Sequence, residues 1–356
     1  MALAGHDSFM GQYHQALSDE IKIFSRSWRQ TAPISTLFFG GGTPSTYPDE
    51  LLSELFVTLR QSFIFEEKSE ITIEVNPGTV RLPDQLILWK SLGINRLSIG
   101  VQSLKDDVLK SLNRNQRAAD VLTLIEVAKD LFDNISIDLI LGLPGVSSDE
   151  WKTLLDTVVT FPLKHISIYF LTVHEDTPLY FKVKKEQIIL PPDEDMVELY
   201  HWSCAFLIAH GFEQYEMSNF ARPGFSCKHN QAYWEHVPYK GFGLGACSFD
   251  GQARFENDKR LLPYIEHASL GSITTYSELL TERQLFTERL MLGLRCAKGL
   301  SLKSVGNLLD NNEDFEKFCA KISILKQESL LYETNGHLML TARGLVVENQ
   351  IIIRLL

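Results

Sequence analysis

The sequence predicts an α/β fold on parallel strands, a barrel or a doubly wound sheet, and three observations carry that reading. Five short, β-rich apolar runs recur in the first half of the chain, at 36–39, 71–75, 96–101, 135–141 and 165–171. Amphipathic segments of helical period separate them, and strand–helix alternation is the mark of parallel βα units. Glycine-rich or polar clusters sit on or just beyond these runs, where parallel sheets bind ligands at the strands' C-terminal edge.

In chain order, a helix at 10–24 opens the fold with no strand before it, although a βα array begins with a strand. Helical patterns then fall at 51–63, 83–92, 106–112 and 118–131. After Tyr180 the pattern changes to a polar connector at 182–195, a helix at 196–210, and a stretch at 212–251 rich in glycine and aromatic residues that reads as irregular or antiparallel. Helices are predicted at 285–296 and 302–308. Asn335-Gly336 lies between alternating apolar residues at 330–341 and signals a two-residue hairpin. Thr341 can cap a last helix reaching 355. Helices plus a hairpin make a winged-helix-like module. Three regions follow: a barrel at 1–180, a connector at 181–280 and the winged module at 281–356.

The 356 residues suffice for a barrel-sized core and an appendage. A net charge of -11 opposes a nucleic-acid partner, because phosphate neutralisation needs a basic surface, so the wing is assigned to protein contact. No run is long and apolar enough for a transmembrane segment, and residues 1–7 lack a signal peptide's basic and apolar regions, so the chain is read as cytoplasmic. Cys204, Cys227, Cys247, Cys296 and Cys319 are widely spaced, form no CxxC pair and suit reduced thiols.

The residues at the strand ends suggest a ligand. Gly40-Gly41-Gly42-Thr43 can bring backbone amides and carbonyls close to a bound molecule, or can simply form a tight turn. Glu74 and Asp138 have apolar flanks, where a carboxylate needs a donor-bearing ligand, a cation or a structural ion pair. Gln102 ends a strand, and Arg114 follows where it could fork onto a carboxylate or stand free on the surface. Together these groups suit a zwitterionic nucleoside.

The segments LFFGGGTPS (37–45), EVNPGT (74–79), GINRLSIGVQS (93–103), IDLILGLPG (137–145) and HNQAYW (229–234) occur in the order in which the HemW-type branch of the radical S-adenosylmethionine (SAM) proteins carries them, and the chain resembles that branch. The resemblance implies a partial (β/α)6 barrel. It further implies that Gly41, Gly42 and Thr43 meet the methionine end of SAM, Arg114 its carboxylate, and Glu74, Gln102 and Asp138 its ammonium or ribose hydroxyls. His229 or Cys227, in the HNxxYW region, is the heme-ligand candidate, since imidazole and thiolate both ligate heme iron. Cys247 stands where the family usually has histidine, and Asn115-Gln116 where a histidine often follows the arginine.

The family's CxxxCxxC motif, which holds a [4Fe-4S] cluster, does not occur in this sequence, and the first barrel strand is missing with it. The sequence predicts that the reading frame upstream of Met1 encodes both. Three functions remain open on sequence: heme binding and delivery to heme-accepting proteins; oxygen-independent coproporphyrinogen III oxidation, an enzyme's work; and a clusterless interaction protein.

Overall fold

The computed structural model describes residues 7–28, 31–175, 177–306, 308 and 312–356; most of the N-terminal stretch weighed above as a signal peptide, and residue 307 of the helix expected at 302–308, lie outside them. Helix α1 (Met10–Ser27) precedes the first strand, and four βα steps and a fifth strand follow: β1 (Ile34–Phe39), α2 (Asp49–Ser62), β2 (Phe65–Val75), α3 (Asp84–Leu92), β3 (Arg96–Gln102), α4 (Asp106–Ser111), α5 (Ala118–Ala128), β4 (Asn134–Leu141), α6 (Ser148–Val158) and β5 (His165–Phe170). These five strands pair in parallel in sequence order. The sheet curls into a half-barrel. Two short strands extend it: β6 (Glu213–Gln214) pairs with β7 (Asn219–Ala221), which runs antiparallel to β5. They follow α7 (Pro178–Lys184), inside the expected polar connector, and α8 (Asp193–Ala209).

Strand alternation gives the sheet two unlike faces. Ile73, Leu97, Ile99, Ile137, Leu139, Ile166 and Ile168 face the helices and share one core with Leu86, Trp89, Leu124 and Leu155. The opposite face presents Thr72, Glu74, Arg96, Ser98, Ser136, Asp138, His165 and Ser167. A lumen so polar is built for a ligand, whereas a closed (β/α)8 barrel fills its interior with branched apolar side chains.

Helix α6, absent from the sequence reading, begins in a capping box: Ser147 Oγ accepts from the Glu150 N–H, and Glu150 accepts in return from the Ser147 N–H. Beyond α9 (Lys228–Trp234), the stretch rich in glycine leads into a sheet of β8 (Cys247–Phe249), β9 (Ala253–Asn257) and, after α10 (Leu261–Ala268), β10 (Thr274–Leu279). Buried Glu20 of α1 holds this region, accepting from the Gly243 N–H, Asn257 Nδ2 and the Tyr264 hydroxyl at 2.7–2.9 Å.

The C-terminal region has its own core, including Phe286, Leu290, Phe318, Ile322, Leu338 and Ile351. Its elements are α11 (Glu282–Arg295), β11 (Leu300–Ser301), α12 (Leu302–Gly306), α13 (Asn312–Gln327), β12 (Leu331–Thr334), β13 (His337–Leu340), α14 (Ala342–Val346) and α15 (Glu348–Leu355). The hairpin turns at Asn335 and Gly336, whose φ angles of 50° and 74° are what the Asn-Gly pair predicts. Thr341 caps the helix after it through the Gly344 N–H at 3.0 Å, but that helix breaks in two at Val347.

Candidate functional site

The glycine loop after β1 lies exposed at the strands' C-terminal edge. Gly41 has φ +86°, open to glycine at no steric cost, and its N–H donates to Glu74 Oε2 at 3.2 Å. A Cβ on Gly40 would stand 2.6 Å from Phe38 Cε1 and 2.9 Å from Glu74 Oε1, so glycine lets the loop lie over both side chains without displacing them. Gly42 and Thr43 are exposed, with the Thr43 carbonyl accepting from the N–H and hydroxyl of Thr46. Burial raises the Glu74 carboxyl above the ordinary carboxylate range; the Gly41 N–H opposes the shift and the Asp138 charge adds to it. Asp138 is raised as well, by burial first, with the Ser167 hydroxyl, the Arg96 charge and Ser98 (3.3 Å) acting against it. Two carboxyls raised by burial, one of them also by the other's charge, lie beneath an exposed loop and form a place for a cationic or hydroxyl-bearing group.

Gln102 and Arg114 divide. Gln102 takes the left-handed φ of +59°, a departure that in a non-glycine residue marks a constrained site. Its side chain folds back over Gly100, and with the amide nitrogen turned toward them it reaches the Gly100 and Val101 carbonyls at 2.8 and 3.2 Å. The amide is thus engaged with backbone and with buried Gln116 rather than presented to a ligand. Gln116 in turn donates to the Gly100 carbonyl at 2.8 Å and packs its Cα where a Cβ on Gly78 would fall. That contact brings Arg114, two residues earlier, to the same edge of the sheet; its side chain is exposed and has no ion pair among the described residues.

At the other end of the lumen sits α9, which carries HNQAYW. Buried Glu70 of β2 receives its first turn: Oε1 accepts from the His229 N–H at 3.0 Å and the Cys227 thiol at 3.3 Å, and Oε2 from the Lys228 N–H at 3.0 Å. A carboxylate at a helix N-terminus meets both unpaired amides and the helix dipole. Sequence reasoning passed over Glu70, although its polar alternation with Thr72 and Glu74 was there to be read. Cys227 is fully buried; burial pushes its thiol up to about 11, the Arg96 charge opposing, which leaves it a protonated donor to Glu70. His229 is half-buried. Its ring stacks on Phe38 at 5.0 Å, Nδ1 lies 2.9 Å from the Thr36 hydroxyl and Nε2 3.2 Å from the Tyr233 hydroxyl. Burial lowers its pKa, with Glu70 opposing and Arg96 reinforcing, so the ring is neutral at neutral pH. Cys247 is exposed.

A radical SAM superfamily model matches residues 9–158, and a HemN C-terminal domain model matches residues 280–347. The chain is 33% identical over 321 residues to the heme chaperone HemW of Bacillus subtilis, spanning 89% of this chain and 84% of that protein. The chain belongs to the HemW family of radical SAM proteins. A HemW of Synechocystis is 35% identical over 301 residues, covering 83% of this chain and 72% of that one. The Escherichia coli coproporphyrinogen III oxidase HemN, a radical SAM enzyme, superposes with a TM-score of 0.82 over 98% of this chain and 84% of its own, at 24% identity, and so shares the fold.

Radical SAM membership implies SAM and a [4Fe-4S] cluster. The exposed glycine loop, Glu74, Asp138 and Arg114 fit the first. The cysteines do not fit the second: among the described residues no three His, Cys, Asp or Glu side chains converge as a metal site. No helix among them is long and apolar enough to cross a membrane.

Proposed function

We propose that this chain binds heme at α9 and SAM at the glycine-loop edge, and that it delivers heme to acceptor proteins. The observation that carries the reading is His229 in the HNQAYW helix. Thr36 holds Nδ1, and among the described residues the hydrogen-bond partner of Nε2 is the hydroxyl of half-exposed Tyr233 at 3.2 Å. With Nδ1 donating to Thr36, Nε2 keeps its lone pair, the form that ligates iron, and a second hydrogen bond of this kind is what fixes a ligating imidazole. Cys227, buried and protonated, supports α9 from beneath, which leaves His229 as the axial candidate. Relatives named as heme chaperones at 33% and 35% identity support the same reading.

For SAM, backbone at Gly41, Gly42 and Thr43 would receive the methionine end, Glu74 and Asp138 the ammonium and ribose hydroxyls, and Arg114 the carboxylate. Gln102 would act by shaping the loop through Gly100 and Gln116. Heme handling in this reading draws on no cluster held by the five cysteines. Oxidation of coproporphyrinogen III is favoured only by the shared fold, and one fold hosts many functions. The test is to load the purified chain with heme and mix it with an apo heme protein. Transfer of the Soret absorbance to the acceptor is expected, and coproporphyrinogen III supplied with SAM and a reductant should yield no protoporphyrinogen. A chain that retains all its heme, or one that turns over coproporphyrinogen, overturns the proposal.

A further inference from the structure

The base of the half-barrel holds a buried cation that has no ion-pair partner among the described residues. Arg96 opens β3 on the lumen face and is 2% exposed. Its Nε has no hydrogen-bond partner, and among the described residues no carboxylate oxygen comes within 4.0 Å of its guanidinium. In the strand register Thr72 lies on one side of it and Asn134 on the other. The Thr72 hydroxyl and the Asn134 Oδ1 are buried and unpartnered too. Three adjacent residues on three adjacent strands thus turn unsatisfied polar atoms toward one place. The nearby carboxylates are engaged elsewhere: Glu70 by the first turn of α9, Glu74 by Gly41, Asp138 by Ser98.

Arginine does not shed its proton, and a desolvated charge without a counter-ion is strongly unfavourable. Asp138, the carboxylate on which the Arg96 charge acts, lies beyond ion-pair distance and is held by Ser167 and Ser98, which leaves the place open to an anion from outside the chain. A guanidinium flanked by a hydroxyl and an amide that can turn its nitrogen inward matches a carboxylate, whose two oxygens accept several donors at once. The position narrows the choice. Phe38, the ring on which His229 stacks, pairs with Thr72 in the same row of the sheet. Arg96 lies six residues before Gln102 along β3, on the order of 20 Å from that end of the SAM edge at strand rise. We propose that Arg96, with Thr72 and Asn134, forms the subsite for a carboxylate of the ligand held at His229, a propionate side chain of the tetrapyrrole.

The inference rests on the heme reading and is tested separately from it, by titrating the full chain with ferric heme and with heme dimethyl ester. The parent should bind the free acid more tightly by on the order of tenfold to a hundredfold, the range for one charge-assisted hydrogen bond. Arg96→Met should lose that preference while keeping its affinity for the ester, and Arg96→Lys should keep part of it. Should Arg96→Met fail to fold, as judged by near-UV circular dichroism, the parent's own acid-to-ester ratio and Arg96→Lys still decide. Equal affinity of the parent for acid and ester overturns the subsite, and assigns water to Arg96. So does a preference that survives in Arg96→Met. SAM also carries a carboxylate: if Arg96→Met loses SAM affinity and leaves the porphyrin ratio unchanged, the anion is SAM's and the proposal fails. A parent that binds neither porphyrin refutes the heme reading itself, and this assignment with it.

Discussion

Replacing Glu70 with alanine should release α9 from the sheet. Its carboxylate receives two backbone N–H groups and a thiol at 3.0, 3.0 and 3.3 Å, and its side chain is buried. Hydrogen bonds to a charged acceptor contribute about 1.5–3 kcal/mol each and are not additive when they share that acceptor. Truncation also strands two amides at the start of a seven-residue helix, too short to hold by propensity. We expect a loss of about 3–5 kcal/mol, the range for breaking a buried charged network, confined to α9. Hydrogen exchange read by mass spectrometry on a peptide spanning 226–235 measures it: protection should fall by about two to four orders of magnitude in Glu70→Ala, with β3 and β4 unchanged, and heme affinity should fall in step. Glu70→Gln keeps an acceptor oxygen and should recover part of the protection. Unaltered exchange at 226–235 in Glu70→Ala would refute the claim that this carboxylate seats the helix.

Other predictions follow from the same geometry. Arg114→Ala should weaken SAM binding by about 1.5–3 kcal/mol in calorimetry, and unchanged affinity would return Arg114 to the surface. Burial, and then the Arg96 charge, hold His165 well below the ordinary histidine range. A folded-state pKa below the unfolded one means this contribution is complete above about pH 6.5 and is lost as pH falls from there, at up to about 1.4 kcal/mol per unit. His165→Gln should flatten that slope in urea titrations from pH 7 to 5; an identical slope would place the titration elsewhere. Anaerobic treatment with iron and sulfide should leave the five cysteines without a stoichiometric cluster, and four bound irons per chain would contradict the absence of a converging set.

Much of the barrel was legible because its signals are local. The five strands and the helices between β1 and β4 are periodic runs, and the Asn-Gly turn and the Thr341 cap are chemistry within a few residues, whereas α6 went unread between β4 and β5. Strands β6 and β7, at two and three residues, carry no period and exist only through long-range pairing, β7 with β5 and β6 with β7. The site divides in the same way. Gly41, Glu74 and Asp138 could be placed at one sheet edge because strand ends locate them. Gln102 could not: whether its amide faces a ligand or its own backbone depends on Gln116, 14 residues on. Cys227 and His229 looked equivalent in sequence, two residues apart. A carboxylate from a strand 157 residues earlier buries one and orients the other, and that long-range contact has no local signature.

The proposed function has His229 present a neutral imidazole to heme iron at the base of the half-barrel. Its most direct test is a ferric heme titration of the purified chain beside His229→Ala, followed in the Soret region. The parent should bind one heme per chain, and His229→Ala should show a Soret maximum that shifts or weakens as iron loses its axial nitrogen. The same titration curve and the same Soret maximum in both proteins would contradict it.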